Sequence, residues 1–305
     1  MIGRIVEIAD DRRYLFVSRG FMVVREADGD RSELGNVPLD DIAALIANAH
    51  GLSYSNNLLV ALAKRGVPFV LCATNHNAVG MLWPVEGNFQ QAKRYDAQIS
   101  AGKPVHKRLW ADIVRSKLMQ QAAVLDAIGA PSMPVLALVK KVRSGDAGNI
   151  EAQGARRYWS LLFGKEFRRD QDAEGINALL NYGYTVYRAA IARAVIAAGL
   201  HPTLGLHHQN EGNPMRLVDD LIEPFRPLID LLVWQFCQKD EVALTVETKR
   251  TFVNSLYIDV YKRSRVSPVI VCMQKLAVSL AQIYLGDRDV LELPSPAQSF
   301  DMLGG

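Results

Sequence analysis

Cysteine is scarce in this chain: Cys72, Cys237 and Cys272 are the only three in 305 residues, widely scattered and with no CxxC pair. That excludes a disulfide framework and a thiolate zinc cage, and predicts small buried hydrophobes in a reducing compartment. No stretch approaches eighteen uninterrupted apolar residues, and the opening MIGRIVEIADDRRYLF has no basic stretch followed by an apolar run and a small-residue cleavage site. A membrane span and a secretory leader are therefore not expected, and the chain reads as soluble and cytoplasmic. Internal repeats, low-complexity linkers and an HExxH zinc motif are also missing. The net charge of +3 is too small to show a nucleic-acid partner by itself. It is unevenly spread, however: residues 1 to 90 carry 8 basic and 10 acidic side chains, which leaves 27 and 22 for the remainder. A polyanion should prefer the C-terminal part.

What is present is globular in character, with 49% hydrophobic and 22% charged residues in a length sufficient for one large or two ordinary domains. RIVEI, RYLFVS and FMVVRE are short β-branched or aromatic runs separated by Asp/Arg or Gly punctuation, and VPFVLCA and AVGMLW continue the pattern. SNNLLVALAKRG has the period and terminal glycine of one amphipathic helix. From about Gly87 helical periodicity takes over, first in NFQQAKRYDAQIS and then in KRLWADIVRSKLMQQAAVLDAIG. The run from Gln171 to Gly199 keeps Ile176, Leu180, Tyr184, Tyr187, Ile191, Val195 and Ala198 at three- or four-residue spacing, the mark of a core helix. The expected fold is α+β: a small β-rich domain over residues 1–90, then a larger helical domain over 91–305. The tail DRDVLELPSPAQSFDMLGG, with two prolines and closing glycines, is expected to be loose at its end.

Chemistry concentrates in GLHHQNEGNPMRLVDDLIEPFRP, residues 205 to 227. If LVDDLIEPF is helical, Asp220 and Glu223 share a face while Leu217, Leu221 and Phe225 point toward the core. Asp219 falls about 100° round from Asp220, so only one of the two can face a site. Pro224 has no N–H, which leaves the Asp220 carbonyl without its helical partner and favours a kink or helix end beside the carboxylates. His208 and Glu223 could fold onto one another across the loop, and a mixed set of imidazole and carboxylate ligands suits Mg²⁺ or Mn²⁺ better than a closed zinc site. Such a cation serves phosphoryl transfer on nucleic acid. Taken singly, each feature also has a plain structural reading: a surface or satisfied histidine pair, a double aspartate complementing a helix start, Glu151 as a surface glutamate, Arg156 and Arg157 as solvated cations.

Three blocks occur together and in order: Glu151 within EAQGARRYW, then NALLNYGYTVYRAA at 177 to 190, then the segment from Gly205 to Pro227. In this the chain resembles the CRISPR-associated protein 1 family, the spacer-acquisition endonuclease and integrase, over nearly its whole length. The glutamate opening an E-x-x-x-A-x-x-Y-W/F stretch, the histidine closing a G-x-x-H turn and the acid closing a D-x-x-D/E pair match Glu151, His208 and Glu223. Those three are what the resemblance implies as catalytic residues and as ligands of Mg²⁺ or Mn²⁺, with Asp220 as a supporting acid and His207 as the neighbour. Glu at the last position and the HHQNEGNP loop resemble the branch that accompanies the single large RNA-guided effector, the type II systems. The resemblance further implies double-stranded DNA as substrate, a homodimer formed through the β domains, and a four-plus-two complex with a dimer of CRISPR-associated protein 2. The RNA-guided effector nuclease is a further implied partner. The implied reaction is attack by the 3′-hydroxyl of a captured DNA fragment on a phosphodiester at the edge of a CRISPR repeat.

For holding DNA, the candidates are Arg156 and Arg157, then Lys262, Arg263 and Arg265 in VYKRSRVSP, with Lys140, Lys141 and Arg143 in KKVRS. Two other readings stand beside the integrase: a zinc hydrolase using His207, His208 and Glu223, disfavoured because adjacent histidines point in different directions, and a non-catalytic scaffold of an adaptation complex.

Overall fold

The computed structural model describes residues 4–28, 32–73, 78–82, 84–85, 88–170, 172–262 and 265–296. It has the α+β composition expected, β-rich first and helical afterwards. Strands β1 (Arg4–Ile8), β2 (Arg13–Ser18) and β3 (Phe21–Glu26) form where the β-branched runs predict them. Between β2 and β3 only Arg19 and Gly20 intervene, both at positive φ (49° and 84°), the backbone of a two-residue hairpin turn matched to strand twist. β4 (Glu33–Pro38), β5 (Ile42–Ala47) and β6 (Leu52–Tyr54) are additions that the strand patterns did not announce. Helix α1 (Asn56–Lys64), capped by the Ser55 hydroxyl accepting from the Leu58 N–H, then crosses over to β7 (Phe69–Cys72) and β8 (Ala78–Leu82).

Two four-stranded sheets result, in the orders β4-β3-β2-β6 and β1-β5-β7-β8. The centre of the second is β5, IAALIA, buried at every residue. Ile42, Leu45 and Ala47 join Leu15, Met22, Leu58 and Leu62 in a core shared with the first sheet and α1. Ala43, Ala44 and Ile46 join the core of the helices. A strand buried on both faces loses its apolar-polar alternation, which is why a period-2 search passes over β5.

The helices are α2 (Gln91–Ser100), α3 (Lys103–Ala127), α4 (Met133–Val139), α5 (Ile150–Phe163), α6 (Ile176–Ala197), α7 (Arg216–Ile222), α8 (Arg226–Gln238), α9 (Val246–Ser255) and α10 (Val269–Leu285). A hairpin of β9 (Asp259–Lys262) and β10 (Arg265–Pro268) separates the last two. Helix α6 begins later than the apolar run suggested, at Ile176, and is buried almost all round rather than along one face. It packs against α7, α8, α9, α10 and β5. Gly183 lets it do so, since a Cβ there would meet Ile229 Cγ2 at 2.5 Å and Phe252 at 2.8 Å. Polar contacts tie the sheet to the helices: Ile5 N–H donates to the Tyr257 hydroxyl (2.9 Å), and Glu7 receives the Tyr182 hydroxyl and pairs with Lys249 at 3.3 Å.

One expectation needs correction. Of the cysteines, only Cys72 is buried, while Cys237 on α8 and Cys272 on α10 are half-buried. The tail is held through residue 296: Leu291 is buried, Glu292 N–H donates to Ser279 Oγ at 2.9 Å, and Gln120 Nε2 donates to the Ser295 carbonyl at 3.0 Å. The end of the tail, where looseness is expected, falls in residues 297–305 and lies outside the described residues.

Candidate active site

Helices α3, α5, α7 and α8, the turn between the last two and the loop before α7 supply the residues. Glu151 sits in the first turn of α5, and the buried carboxylate of Asp146 fixes that turn by accepting from the Ile150 N–H (2.9 Å) and the Glu151 N–H (3.0 Å). These are two of the orphan donors every helix start leaves. One turn further on, Gly154 faces α3, and a Cβ there would lie 2.3 Å from Leu118 Cδ2. The missing side chain lets α5 approach α3 closely enough for Glu151 Oε1 to reach Lys117 Nζ at 2.7 Å.

Glu223 arrives from a kink. Helix α7 ends at Ile222, a 3₁₀ turn runs over Glu223–Phe225, and α8 begins at Arg226, the interruption that Pro224 dictates. Leu217, Leu221 and Phe225 are fully buried below it, as the spacing requires. The carboxylate of Glu223 is itself buried, with Oε1 accepting from Arg226 Nε at 2.8 Å and Oε2 lying 2.5 Å from Lys117 Nζ. Burial pushes this carboxyl up, but the charges of Arg226 and Lys117, with that of His208, outweigh it and hold the pKa at about 2. Arg226 in turn lies 4.5 Å over the ring of Tyr184.

The two aspartates divide as their 100° offset predicts. Asp219 turns away and is gripped by Arg188 through both oxygens (2.7 and 2.9 Å), and it accepts from Asn213 at 2.7 Å, which anchors the HHQNEGNP loop. Asp220, with no exposed surface, gathers the turn before that loop: Oδ2 accepts from the N–H groups of Leu206 (2.5 Å) and His207 (3.2 Å), and Oδ1 lies 2.6 Å from His208 Nδ1. Gly205 makes room for this carboxylate, since a Cβ would lie 2.9 Å from Oδ2. The hydrogen bond that His208 donates to Asp220 raises the His208 pKa against the opposing effect of burial.

His207 does something else. Its ring stacks on the buried Trp110 of α3, centroids 4.3 Å apart and planes within 2°. The rings of His207 and His208 stand 77° apart at 6.0 Å, so the pair does not present two imidazoles to one cation.

Glu151 and Glu223, 72 residues apart in the chain, thus converge on one ammonium, with His208 near enough to Glu223 for its charge to be felt there. Among the described residues no three His, Cys, Asp or Glu side chains form a ready-made metal cage. The donor set still fits a hard cation in kind: two carboxylates already sharing a positive charge, a buried Glu223 Oε2 that faces that charge, and an imidazole whose Nδ1 is held by Asp220 so that its other nitrogen is the one on offer.

The DNA candidates are more dispersed. Arg156, Lys140, Lys141 and Arg143 are exposed on α5 and on the approach to it, and Arg157 donates to the Pro134 carbonyl at 2.8 Å. Lys262 and Arg265 are register partners across the β9–β10 hairpin, and Arg263 lies outside the described residues.

Residues 6–256 match the family described as CRISPR associated protein Cas1. The chain belongs to the Cas1 family. A CRISPR-associated endonuclease Cas1 of Neisseria meningitidis is 36% identical over 87% of this chain and 88% of its own length. A Cas1 endonuclease of Pyrobaculum aerophilum is 28% identical over 86% and 91%. Two solved structures share the fold at low identity. A casposase bound to integration product superposes with a TM-score of 0.83 at 20% identity, covering 99% of this chain and 96% of that one. A Cas1 protein from Thermotoga maritima gives 0.75 at 16%, covering 94% and 98%.

Within this Cas1 chain, sequence reasoning missed Lys117, Trp110, Asp146 and Arg226. A lysine midway along a helix reads as solvent-facing, and nothing local shows that α5 will close over it. Arg226 carried a usable signal, standing three residues after Glu223 and therefore on its face.

Proposed function

We propose that the chain is the endonuclease and integrase of CRISPR adaptation, joining the 3′-hydroxyls of captured double-stranded DNA into the CRISPR repeat by transesterification. Glu151, His208 and Glu223 would hold Mg²⁺ or Mn²⁺, with Asp220 supporting. The observation that carries this reading is the convergence of Glu151 and Glu223 on one buried positive charge beside His208. Family membership and the endonuclease named in Neisseria meningitidis support the reaction class.

When bound, the cation supplies charge neutralisation at the phosphate and lowers the pKa of the attacking hydroxyl. The protein's own groups prepare that event. Asp220 sets the tautomer and direction of the His208 ring through Nδ1. Arg226 keeps Glu223 ionised and oriented. Leu206, Leu217, Leu221 and Phe225 exclude water from behind the site, where charges act more strongly. Exposed Lys140, Lys141, Arg143 and Arg156 would meet phosphates without reading sequence. Hydrolytic nicking of branched DNA would use the same site with water as nucleophile.

A structure named as a Cas6-RT-Cas1–Cas2 complex shares the fold over 97% of this chain and 36% of that one, with a TM-score of 0.77 at 16% identity. By analogy the partners are a second copy of this chain through the β-rich part, a CRISPR-associated protein 2 dimer in a four-plus-two complex, and the effector nuclease of a type II system.

The test is joining of a short duplex with free 3′-hydroxyls into a supercoiled plasmid carrying a repeat, with the partner protein and Mn²⁺ or Mg²⁺. Wild type should join; Glu151→Ala, His208→Ala and Glu223→Ala should not, while remaining folded by circular dichroism. Variants that join like wild type would overturn the site and favour a scaffold.

A further inference from the structure

Lys117 is the residue the integrase reading leaves without a task, yet it stands at the centre of the site. Its ammonium touches Glu151 Oε1 at 2.7 Å and Glu223 Oε2 at 2.5 Å, and its side chain is only 11% exposed. Two carboxylates brought this close repel, and an ammonium between them offsets that repulsion.

We propose that Lys117 is a tethered counter-cation, holding Glu151 and Glu223 in register while no metal is bound and yielding its place between them when a divalent cation enters. This rests on the metal-dependent reading above. Glu223 shows how the exchange is built. Its Oε1 has a directed partner, Arg226 Nε at 2.8 Å, whose guanidinium is braced over Tyr184. Its Oε2 meets the ammonium of Lys117 at 2.5 Å. One partner is braced in direction and the other replaceable, since a flexible four-carbon stem can withdraw while Arg226 still holds the carboxylate.

Two consequences follow. A cation must displace an ion pair to bind, so the protein alone should hold metal weakly. The displaced ammonium stays anchored on α3 beside the site and favours an arriving phosphate, so metal and DNA should each raise the other's affinity.

The experiment measures Mn²⁺ binding by electron paramagnetic resonance for wild type, Lys117→Met and Lys117→Arg without DNA, together with urea unfolding in EDTA and in Mn²⁺. Lys117→Met should bind Mn²⁺ roughly tenfold tighter or more, since it removes the competing charge beside two carboxylates. It should be less stable than wild type in EDTA and recover in Mn²⁺. Lys117→Arg, which keeps the charge, should bind no better than wild type. Should Lys117→Met not fold in EDTA, it is prepared in Mn²⁺, where folding is expected, and a protein unfolded in both conditions overturns the proposal. Mn²⁺ binding by Lys117→Met no tighter than by an intact wild type overturns the counter-cation role and leaves the metal site standing. Failure of wild type and Lys117→Met alike to bind Mn²⁺ overturns both.

Discussion

Asp220 holds His208 twice, through the backbone N–H at 3.2 Å and through Nδ1 at 2.6 Å, from a position with no exposed surface. The same carboxylate accepts the N–H groups of Leu206 and His207, so one side chain decides both the shape of the turn and the direction of the ring. Asp220→Asn keeps the size but turns one acceptor oxygen into a donor facing backbone donors. Strand joining should fall about 10- to 100-fold, the usual cost of losing a partner that orients a ligand. Stability should fall by about 1–3 kcal/mol for the donors left unpaired. Joining rates and urea unfolding check both, and an unchanged joining rate would show that His208 is oriented by something else.

His207 contributes a flat ring rather than a nitrogen. With centroids 4.3 Å apart and planes 2° from parallel, it rests on Trp110 and locks the residue before His208. His207→Phe keeps a ring and should join strands within a few-fold of wild type. His207→Ala should lose roughly tenfold or more, because a small displacement of a positioned group costs that much or more. If Phe fails as badly as Ala, an imidazole nitrogen is needed, and the zinc-hydrolase reading of the pair regains weight.

Much of this was legible beforehand, and the reasons are physical. β1, β2 and β3 fell where short β-branched runs meet turn residues, and the break after Ile222 followed from Pro224 lacking an N–H. The opposite roles of Asp219 and Asp220 followed from helical geometry. β5 escaped because burial on both faces erases alternation. Lys117 and Trp110 escaped because their surroundings come from distant segments: Glu151 is 34 residues from Lys117, and His207 lies on the loop between α6 and α7, far along the chain from Trp110. The identity of a ligand can be read locally, whereas its counter-charge cannot.

Gly154 offers a test of how closely α5 must approach α3. A methyl there would sit 2.3 Å from Leu118 Cδ2, in a buried contact that cannot simply open. Gly154→Ala should destabilise by about 1–3 kcal/mol through overpacking and draw Glu151 away from Lys117. Adding Leu118→Ala should recover part of the loss in the double variant, giving non-additive urea midpoints. Additive losses would mean that the two side chains do not meet.

Asp230 supplies the pH dependence. It is buried behind the site: burial pushes its carboxyl up to about 7, although the hydrogen bond from Tyr184, the nearby Tyr158 hydroxyl and the charges of Arg226 and Lys117 pull it down. Because the folded pKa exceeds the ordinary aspartate value of 3.8, the folded state retains a proton that the unfolded chain has released between about pH 4 and pH 7. Stability therefore declines as pH rises through that window, by about 1.4 kcal/mol for each pH unit, and is not recovered above it. Glu223 has the opposite sign, since its lowered pKa gives stability that is present above the ordinary carboxyl range and lost only as pH falls toward about 2. The two windows barely overlap. Asp230→Asn keeps an acceptor for the tyrosines and has no proton to lose. Its unfolding free energy should be close to that of wild type near pH 4 and exceed it by several kcal/mol at pH 8. Urea unfolding at half-unit steps measures the divergence directly; curves that run parallel from pH 4 to pH 8 would mean that Asp230 is ionised throughout, with Arg226 shared between it and Glu223.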